Sequence, residues 1–235
     1  LGDVYKRQGL HEENQELRQA WEANNLEYLG AAIGIDDYLL MTTFPVNSLD
    51  DLKGKKIGAP GPAVNWLKGT GAIGVSGNLT TYYNEIKTGV YDGVIVFATA
   101  ALPGKLYEVA PHITKVGFGA QYAGGIAANK DWFDAQPEAL QQALKKGGVA
   151  QREAYHKDLE AAIAASFEAM QANGATIKEV SPEFRMKWAE GMDNVARDWA
   201  AKLDGEGQPG SKVLAAYMNA MRDAGAEPLR NWDQE

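Results

Sequence analysis

The 235 residues contain no cysteine. A disulfide framework and a thiolate metal site are both excluded, and the absence suits an exported bacterial protein. No apolar run approaches the ~20 residues needed to cross a bilayer, so the chain is not expected to be membrane-inserted itself. Positive charge is scarce: 23 Lys and Arg stand against 31 Asp and Glu, a net charge of −8. Phosphate recognition needs a basic surface, so nucleic acid is not an expected partner. The only histidines, His11, His112 and His156, lie far apart without an i,i+4 pair, and each reads as a surface or packing residue. Asp36-Asp37 and Asp50-Asp51 lack calcium-loop spacing and read as solvated turns. Ser48 and Ser76 stand in no nucleophile-elbow context, which leaves nucleophilic catalysis without support. No internal repeat or low-complexity tract occurs. No metal and no cofactor are expected, and the chain is not expected to be an enzyme.

Hydrophobic residues at 45% and charged residues at 23% are the balance of an ordinary globular protein, long enough for one large domain or two small ones. The chain is organised around residues 48–97. Lys56, Ile57 and Gly58 end a short strand. Pro60, Gly61 and Pro62 break it, because each proline ring fixes φ and removes an N–H donor. Residues 63–68 read as the first turns of a helix, with Asn65 and Trp66 near its open end. Such a junction leaves N–H groups unpaired and partly positive, and can hold an anionic or polar ligand. A second strand follows, then a helix beginning Tyr82, Tyr83 and Asn84. Tyr91-Asp92-Gly93 leads into a third, apolar strand over 94–97. Three strand ends thus deliver backbone groups, four aromatics and an asparagine toward one crevice. The segment GTGAIGVSG (69–77) follows a helix instead of joining a strand to a helix, so it does not qualify as a dinucleotide loop.

Around this centre, residues 12–24 pattern as an amphipathic helix with Leu17, Ala20 and Trp21 on its apolar face. Residues 26–35 and 38–44 read as strands, the second stopped by Pro45, and 105–112 as a helix or turn. Residues 113–127 read as a Gly-rich strand whose glycines mark a close approach of backbone or ligand; Phe118, Gln121 and Tyr122 are placed toward a cleft. A helix starts at 129–133 with Asp131 as its cap. A long helix spans 137–173, with Gly147-Gly148 as its weak point and Asn173-Gly174 as its stop. A short strand over 175–180 precedes a helix capped by Ser181 and opened by Pro182. Residues 211–224 form a last amphipathic helix, striped by Val213, Leu214, Tyr217, Met218 and Met221.

Three segments in register carry a family resemblance: SLDDLKGKKIGAPG, then TTYYNEIKTGVYDGVIV, then LYEVAPHITKVGFGAQYAGGIAANKDWFDAQPEALQQAL. They resemble the solute-binding proteins of TRAP transporters, the DctP family. Those proteins carry S-h-x-D-L-K-G-h-K, E-h-Y-x-A-L-x-x-G-x-h-D-G and K-h-Y-E-V segments in the same order at similar spacing, where h is apolar. The resemblance runs from about residue 26 to the C-terminal helices. It implies an α/β, two-lobed periplasmic binding protein-like fold (type II-like) with a long inter-lobe helix. It implies a periplasmic receptor that closes about a hinge on a small organic acid and passes it, unaltered, to the TRAP membrane permease. It also implies that the opening part of a full receptor is missing, so that the first lobe is incomplete. With no initial Met and no leader, residues 1–8 (LGDVYKRQ) read as a non-native scar. Residues 9–35 plus 122–161 are assigned to a remnant of the N-terminal lobe, and 36–121 plus 162–235 to the C-terminal lobe and connecting helices.

The position aligned with Tyr38 is an arginine in many relatives, where it helps bind the solute's carboxylate. A second family arginine falls at Gly58, and a ligand-binding asparagine at Val96 or Phe97. All three anchors of the acid-binding pattern are gone. A bidentate guanidinium–carboxylate pair is strong and directional; rings in its place favour stacking on planar groups. The expected solute is therefore an aromatic or bulky organic acid, or one of weak charge. The residues assigned to it are Tyr38, Gly58, Asn65, Trp66, Tyr82, Phe97, Phe118 and Tyr122. Plainer readings stand beside these: Tyr38 as a packed hinge tyrosine, Trp66 as a core residue, Asn65 as a helix cap. Tyr82 and Tyr83 are helical neighbours, so only one can face the cleft, and Tyr82 is favoured. Two other functions are open. One is a receptor for an ABC-type permease, against which the long helix argues. The other is an enzyme on a similar doubly wound scaffold, with Asp92 or Asp37 as base and no visible acid–base pair.

Overall fold

Apolar runs bounded by glycine or proline become strands, and the longest apolar–polar repeat becomes the longest helix. The computed structural model describes residues 14–120 and 123–235. Its elements in chain order are α1 (Gln15–Ala23), β1 (Leu26–Gly34), β2 (Tyr38–Thr42), β3 (Lys56–Ala59), β4 (Ile73–Ser76), α2 (Tyr82–Lys87), β5 (Gly93–Phe97), α3 (Ala98–Ala101), β6 (His112–Lys115), β7 (Ala123–Asn129), α4 (Lys130–Asp134), α5 (Glu138–Ala172), β8 (Thr176–Glu179), α6 (Pro182–Glu190), α7 (Val195–Gly205) and α8 (Gly210–Asp223). Short 3-10 turns lie at Leu49–Leu52, Gly61–Leu67 and Leu106–Glu108. The chain forms two compact units. The first comprises the described residues of Leu1–Ile35, Tyr122–Glu160 and Ala196–Glu235; the second comprises those of Asp36–Gln121 and Ala161–Val195.

The second unit is built on a six-stranded mixed sheet in the order β4-β3-β5-β2-β6-β8. β2 runs antiparallel to β5 and β6, while β3 is parallel to β4 and β5, and β6 to β8. All five residues of β2 are buried, so the apolar run YLLMT is covered on both faces. Alternation along the strands sorts the side chains. Leu39, Met41, Val94, Val96 and Ile113 enter one core with Ile86, Leu106 and Met170. Tyr38, Leu40, Ile95 and Phe97 alternate with these and take the opposite face, Tyr38 directly across the ladder from Phe97. Asp92 is a structural residue: its carboxylate accepts the Lys56 N–H at 2.8 Å and ties the start of β3 to β5. Asp51 accepts the N–H groups of Asn47 and Ser48, and Asp50 pairs with Lys53 at 2.8 Å. His112 meets Thr176 Oγ1 at 3.0 Å across β6 and β8.

In the first unit, Asn14 caps α1 by accepting the Leu17 N–H. β1 and β7 pair antiparallel, with a register shift between Tyr28 and Ala31. Glu27 meets Lys145 at 2.7 Å. Arg222 and Asp233 form a fork near the C-terminus, with N···O distances of 2.5 and 3.0 Å. The Arg222 hydrogen bonds hold the Asp233 carboxyl below its ordinary 3.8. A depressed carboxyl contributes stability that is present above the ordinary value and lost as pH falls through the folded one. Asp233→Asn should therefore lower the melting temperature at neutral pH and cost progressively less in acid, until the two proteins melt alike. Melts recorded from neutral to strongly acid pH check this.

Several expectations need correction. Residues 61–67 form a 3-10 turn instead of α-helix, because Pro60 and Pro62 constrain the entry and Gly61 takes φ +49°. The strand expected over 113–127 is two: β6 ends at Lys115, and Gly117 and Gly119 at φ +78° and +80° turn the chain before β7. Residues 105–112 give only a 3-10 turn, with Lys105 left-handed at φ +51°. α4 is capped by Asn129, which accepts the Trp132 N–H at 3.0 Å, while Asp131 accepts from Asn25. The α5 helix runs unbroken through Gly147-Gly148. Residues 196–235 group with the first unit; α8 is tied to α7 by Asp204, which accepts from Ser211, and to α1 by the Lys212–Glu16 ion pair. α7 has no counterpart among the elements expected from the sequence. Residues 1–8, His11, Gln121 and Tyr122 lie outside the described residues.

Candidate functional site

The most distinctive feature of the second unit is a group of rings on the Tyr38 face of its sheet. Tyr38 opens β2 and Phe97 closes β5, so their cross-strand pairing sets the rings 5.4 Å apart, edge to face. The 3-10 turn after β3 brings Trp66 to 5.3 Å from Tyr38, also edge-on. The glycine-flanked loop after β6 lays Phe118 on Trp66, with centroids 5.0 Å apart and planes within 2°. From α6, Trp188 meets Phe118 edge-on at 5.2 Å, and Phe184 lies 6.0 Å from Trp188. Tyr38 and Trp188 are buried beneath; Trp66, Phe97 and Phe118 are half-exposed. The surface is thus a partly open aromatic layer on a buried aromatic support.

The structure brings together Tyr38, Trp66, Phe97 and Phe118 from the expected set. It does not bring Gly58 or Tyr82 to that face. Tyr82 is 1% exposed, within the core of the opposite sheet face, at 6.2 Å from Tyr91. Its helical neighbour Tyr83 turns outward and donates to Glu108 at 2.8 Å. Gly58 lies under Tyr91: a Cβ there would stand 2.8 Å from the ring. Asn65 is half-buried within the turn, and its carbonyl accepts the Lys68 N–H; Pro60, not Asn65, is the N-cap residue. The aromatic members that sequence reading missed are Trp188 and Phe184. They stand at i and i+4 in a helix otherwise rich in charge, a spacing that marks one helical face.

The polar surroundings are set by backbone and by acids already engaged. Buried Asp36 accepts from the N–H and hydroxyl of Thr99 at 3.1 and 2.7 Å, which fixes the start of α3 beside Phe97. Burial, and secondarily Asp36, hold the Tyr38 phenol above its ordinary 10.0, so it is neutral at physiological pH. Burial likewise pushes the Tyr82 phenol upward, with Tyr91 adding to it. Arg185 donates to the Gly117 carbonyl at 3.0 Å, so one guanidinium is bonded to the loop that carries Phe118. Among the described residues, no cluster of His, Asp and Glu gathers to hold a metal ion. Such an arrangement can stack on and cover a planar or apolar molecule. A separate hollow of about 320 Å3 in the first unit is lined by Trp21, Leu26, Tyr28, Lys145 and Val149, with no residue of the expected set.

Comparison with known proteins bears on the family and the fold. The family model for bacterial extracellular solute-binding protein, family 7 (DctP), matches residues 3–203. Among solved structures, a TRAP periplasmic solute-binding protein from Desulfovibrio salexigens is similar at TM-score 0.82 and 20% identity, over 97% of this chain and 70% of that one. The periplasmic ectoine-binding protein of the TeaABC TRAP transporter from Halomonas elongata matches at TM-score 0.78 and 20% identity, over 95% and 73%. A TRAP periplasmic solute-binding protein from Bordetella bronchiseptica, with (R)- and (S)-mandelate bound, matches at TM-score 0.74 and 20% identity, over 94% and 71%. No curated protein sequence matches the chain.

Proposed function

The chain belongs to the DctP family of bacterial extracellular solute-binding proteins, the receptors of TRAP transporters, and we propose that its own solute is an aromatic or otherwise bulky organic acid. The observation that carries this reading is the half-exposed pair of Trp66 and Phe118, nearly parallel at 5.0 Å and edged by Tyr38 and Phe97. A planar group laid on such rings gains apolar contact and about 0.5–1.5 kcal/mol per ring pair from the quadrupoles. The neutral Tyr38 phenol offers no charge to a compact dianion. Arg185 supplies a guanidinium at the edge of the same loop for a single carboxylate. A relative of the same fold is known with mandelate, an aromatic hydroxy acid, bound. Capture by hinge closure, delivery to a TRAP permease in the membrane and a periplasmic location complete the proposal; no reaction is performed on the solute. The Asp92 carboxylate accepts the Lys56 N–H, a backbone role at the start of β3. Among the described residues no helix is long and apolar enough to cross a membrane.

A thermal-shift screen tests the solute class. A ligand at 100 times its Kd adds about 2.7 kcal/mol of stability, a rise of roughly 5 °C or more for a protein of this size. Mandelate and related aromatic acids should raise the melting temperature by that order, with quenching of tryptophan fluorescence. Stabilisation by succinate or sialic acid, with none by aromatic acids, would defeat the reading.

A further inference from the structure

Trp188 lies 122 positions along the chain from Trp66, yet its indole Nε1–H donates to the Trp66 carbonyl at 2.6 Å. The same ring meets Phe118 edge-on at 5.2 Å. Its own exposure is 2%, so it offers no face to a solute. Just beyond it, α6 is followed by its C-cap Gly191, whose backbone crosses that of Gly69 so closely that a Cβ on Gly69 would fall 1.9 Å from the Gly191 oxygen. Lys68 and Asp193 pair at 3.3 Å over the crossing. The turn that carries Trp66 is therefore held from outside by one element, at the Trp66 carbonyl and again at Gly69. A 3-10 turn has poor internal hydrogen-bond geometry and relies on such external partners.

We propose that Trp188 is a positioning residue of the aromatic surface: it fixes the backbone under Trp66 with its N–H and the tilt of Phe118 with its ring edge, and so keeps the two outer rings parallel. Affinity for a planar solute then depends on a residue that never touches it. The consequence for the solute rests on the function proposed above; the consequence for the turn does not.

The test uses indole-15N-labelled protein and hydrogen exchange. In the unmodified chain, the Trp188 indole N–H should exchange slowly and resonate downfield of the half-exposed Trp199 indole, and it should shift together with the Trp66 signal when mandelate is added. In Trp188→Phe the ring edge is kept and the donor is lost. Exchange at the Lys68 and Thr70 amides, both bonded within the turn, should quicken about ten-fold while core amides of β2 and β5 do not change. Mandelate affinity should fall about ten-fold, a loss read in dissociation rate. A chain that binds no aromatic acid, but whose turn loosens in Trp188→Phe, retains the positioning role and loses the solute class. A Trp188 indole N–H that exchanges as fast as that of Trp199, or a variant whose turn amides are unchanged, overturns the proposal, and the first of these needs no variant to fold.

Discussion

Gly69→Ala is expected to destabilise the protein by more than about 4 kcal/mol, beyond the range of ordinary point substitutions. Two penalties add at this position. Gly69 has φ +77°, a conformation that costs an L-residue about 1–2 kcal/mol. The new Cβ would also lie 1.9, 2.4 and 2.7 Å from the oxygen, carbonyl carbon and Cα of Gly191. Those are backbone atoms, so no side-chain rotation relieves the overlap. Gly89 separates the two terms. It has the same φ of +77° and nothing within 4 Å of its Cβ position. Gly89→Ala should therefore cost only the conformational part, about 1 kcal/mol. Urea unfolding of both variants with unchanged m-values gives the comparison. Equal midpoints would mean that the Gly69–Gly191 crossing does not constrain the fold. Because the crossing also positions Trp66, any Gly69→Ala protein that remains folded should lose the solute-dependent thermal shift.

The second large effect is expected at Gly58, the position to which the family resemblance assigns an arginine for the solute's carboxylate. Gly58→Arg should neither restore dicarboxylate binding nor leave the protein stable. A Cβ at this position meets Tyr91 Cε2 at 2.8 Å and Cδ2 at 2.9 Å, and Tyr91 is only 6% exposed. The ring has little room to retreat: Tyr82 crosses it at 6.2 Å, and Tyr82 in turn would be 2.6 Å from a Cβ on Gly77. Overpacking of this kind costs about 1–3 kcal/mol, and a guanidinium driven into an apolar core adds a desolvation penalty of several more. Gly58→Arg with Tyr91→Ala should recover part of the loss, a coupling of about 0.5–3 kcal/mol in a double-mutant cycle. Additive losses would show that Tyr91 does not occupy the arginine's space. A stable single variant that gains succinate binding would reverse the account of why this chain lacks the arginine.

The aromatic surface was partly legible beforehand. Tyr38, Trp66, Phe97 and Phe118 each stand beside a strand end or a glycine–proline turn, and strand ends are where a sheet delivers side chains to a common edge. What failed was the assignment of sides. Adjacency on a helix says only that Tyr82 and Tyr83 diverge, not which of them faces the cleft. α2 packs on the sheet face of Leu39 and Met41, and that contact turns Tyr82 into the core and Tyr83 toward Glu108. The family resemblance singles out Gly58 as a position for an arginine; that the Tyr91 ring fills the space beside it emerges only from packing.

By itself the sequence determined what depends on neighbours a few positions apart. It set the strand at YLLMT, the 35-residue helix, the Ser181 cap with Pro182 behind it, the stop at Asn173-Gly174 and the family motifs. These follow from φ restriction, local capping and apolar periodicity, all of which act within one or two turns of chain. The tertiary structure alone decided the recruitment of Trp188 to a site 122 residues away, the crossing of Gly69 with Gly191 and the return of residues 196–235 to the first unit. Burial rewards any apolar face that finds a partner and names none, so the choice among partners is made only when all the surfaces close together.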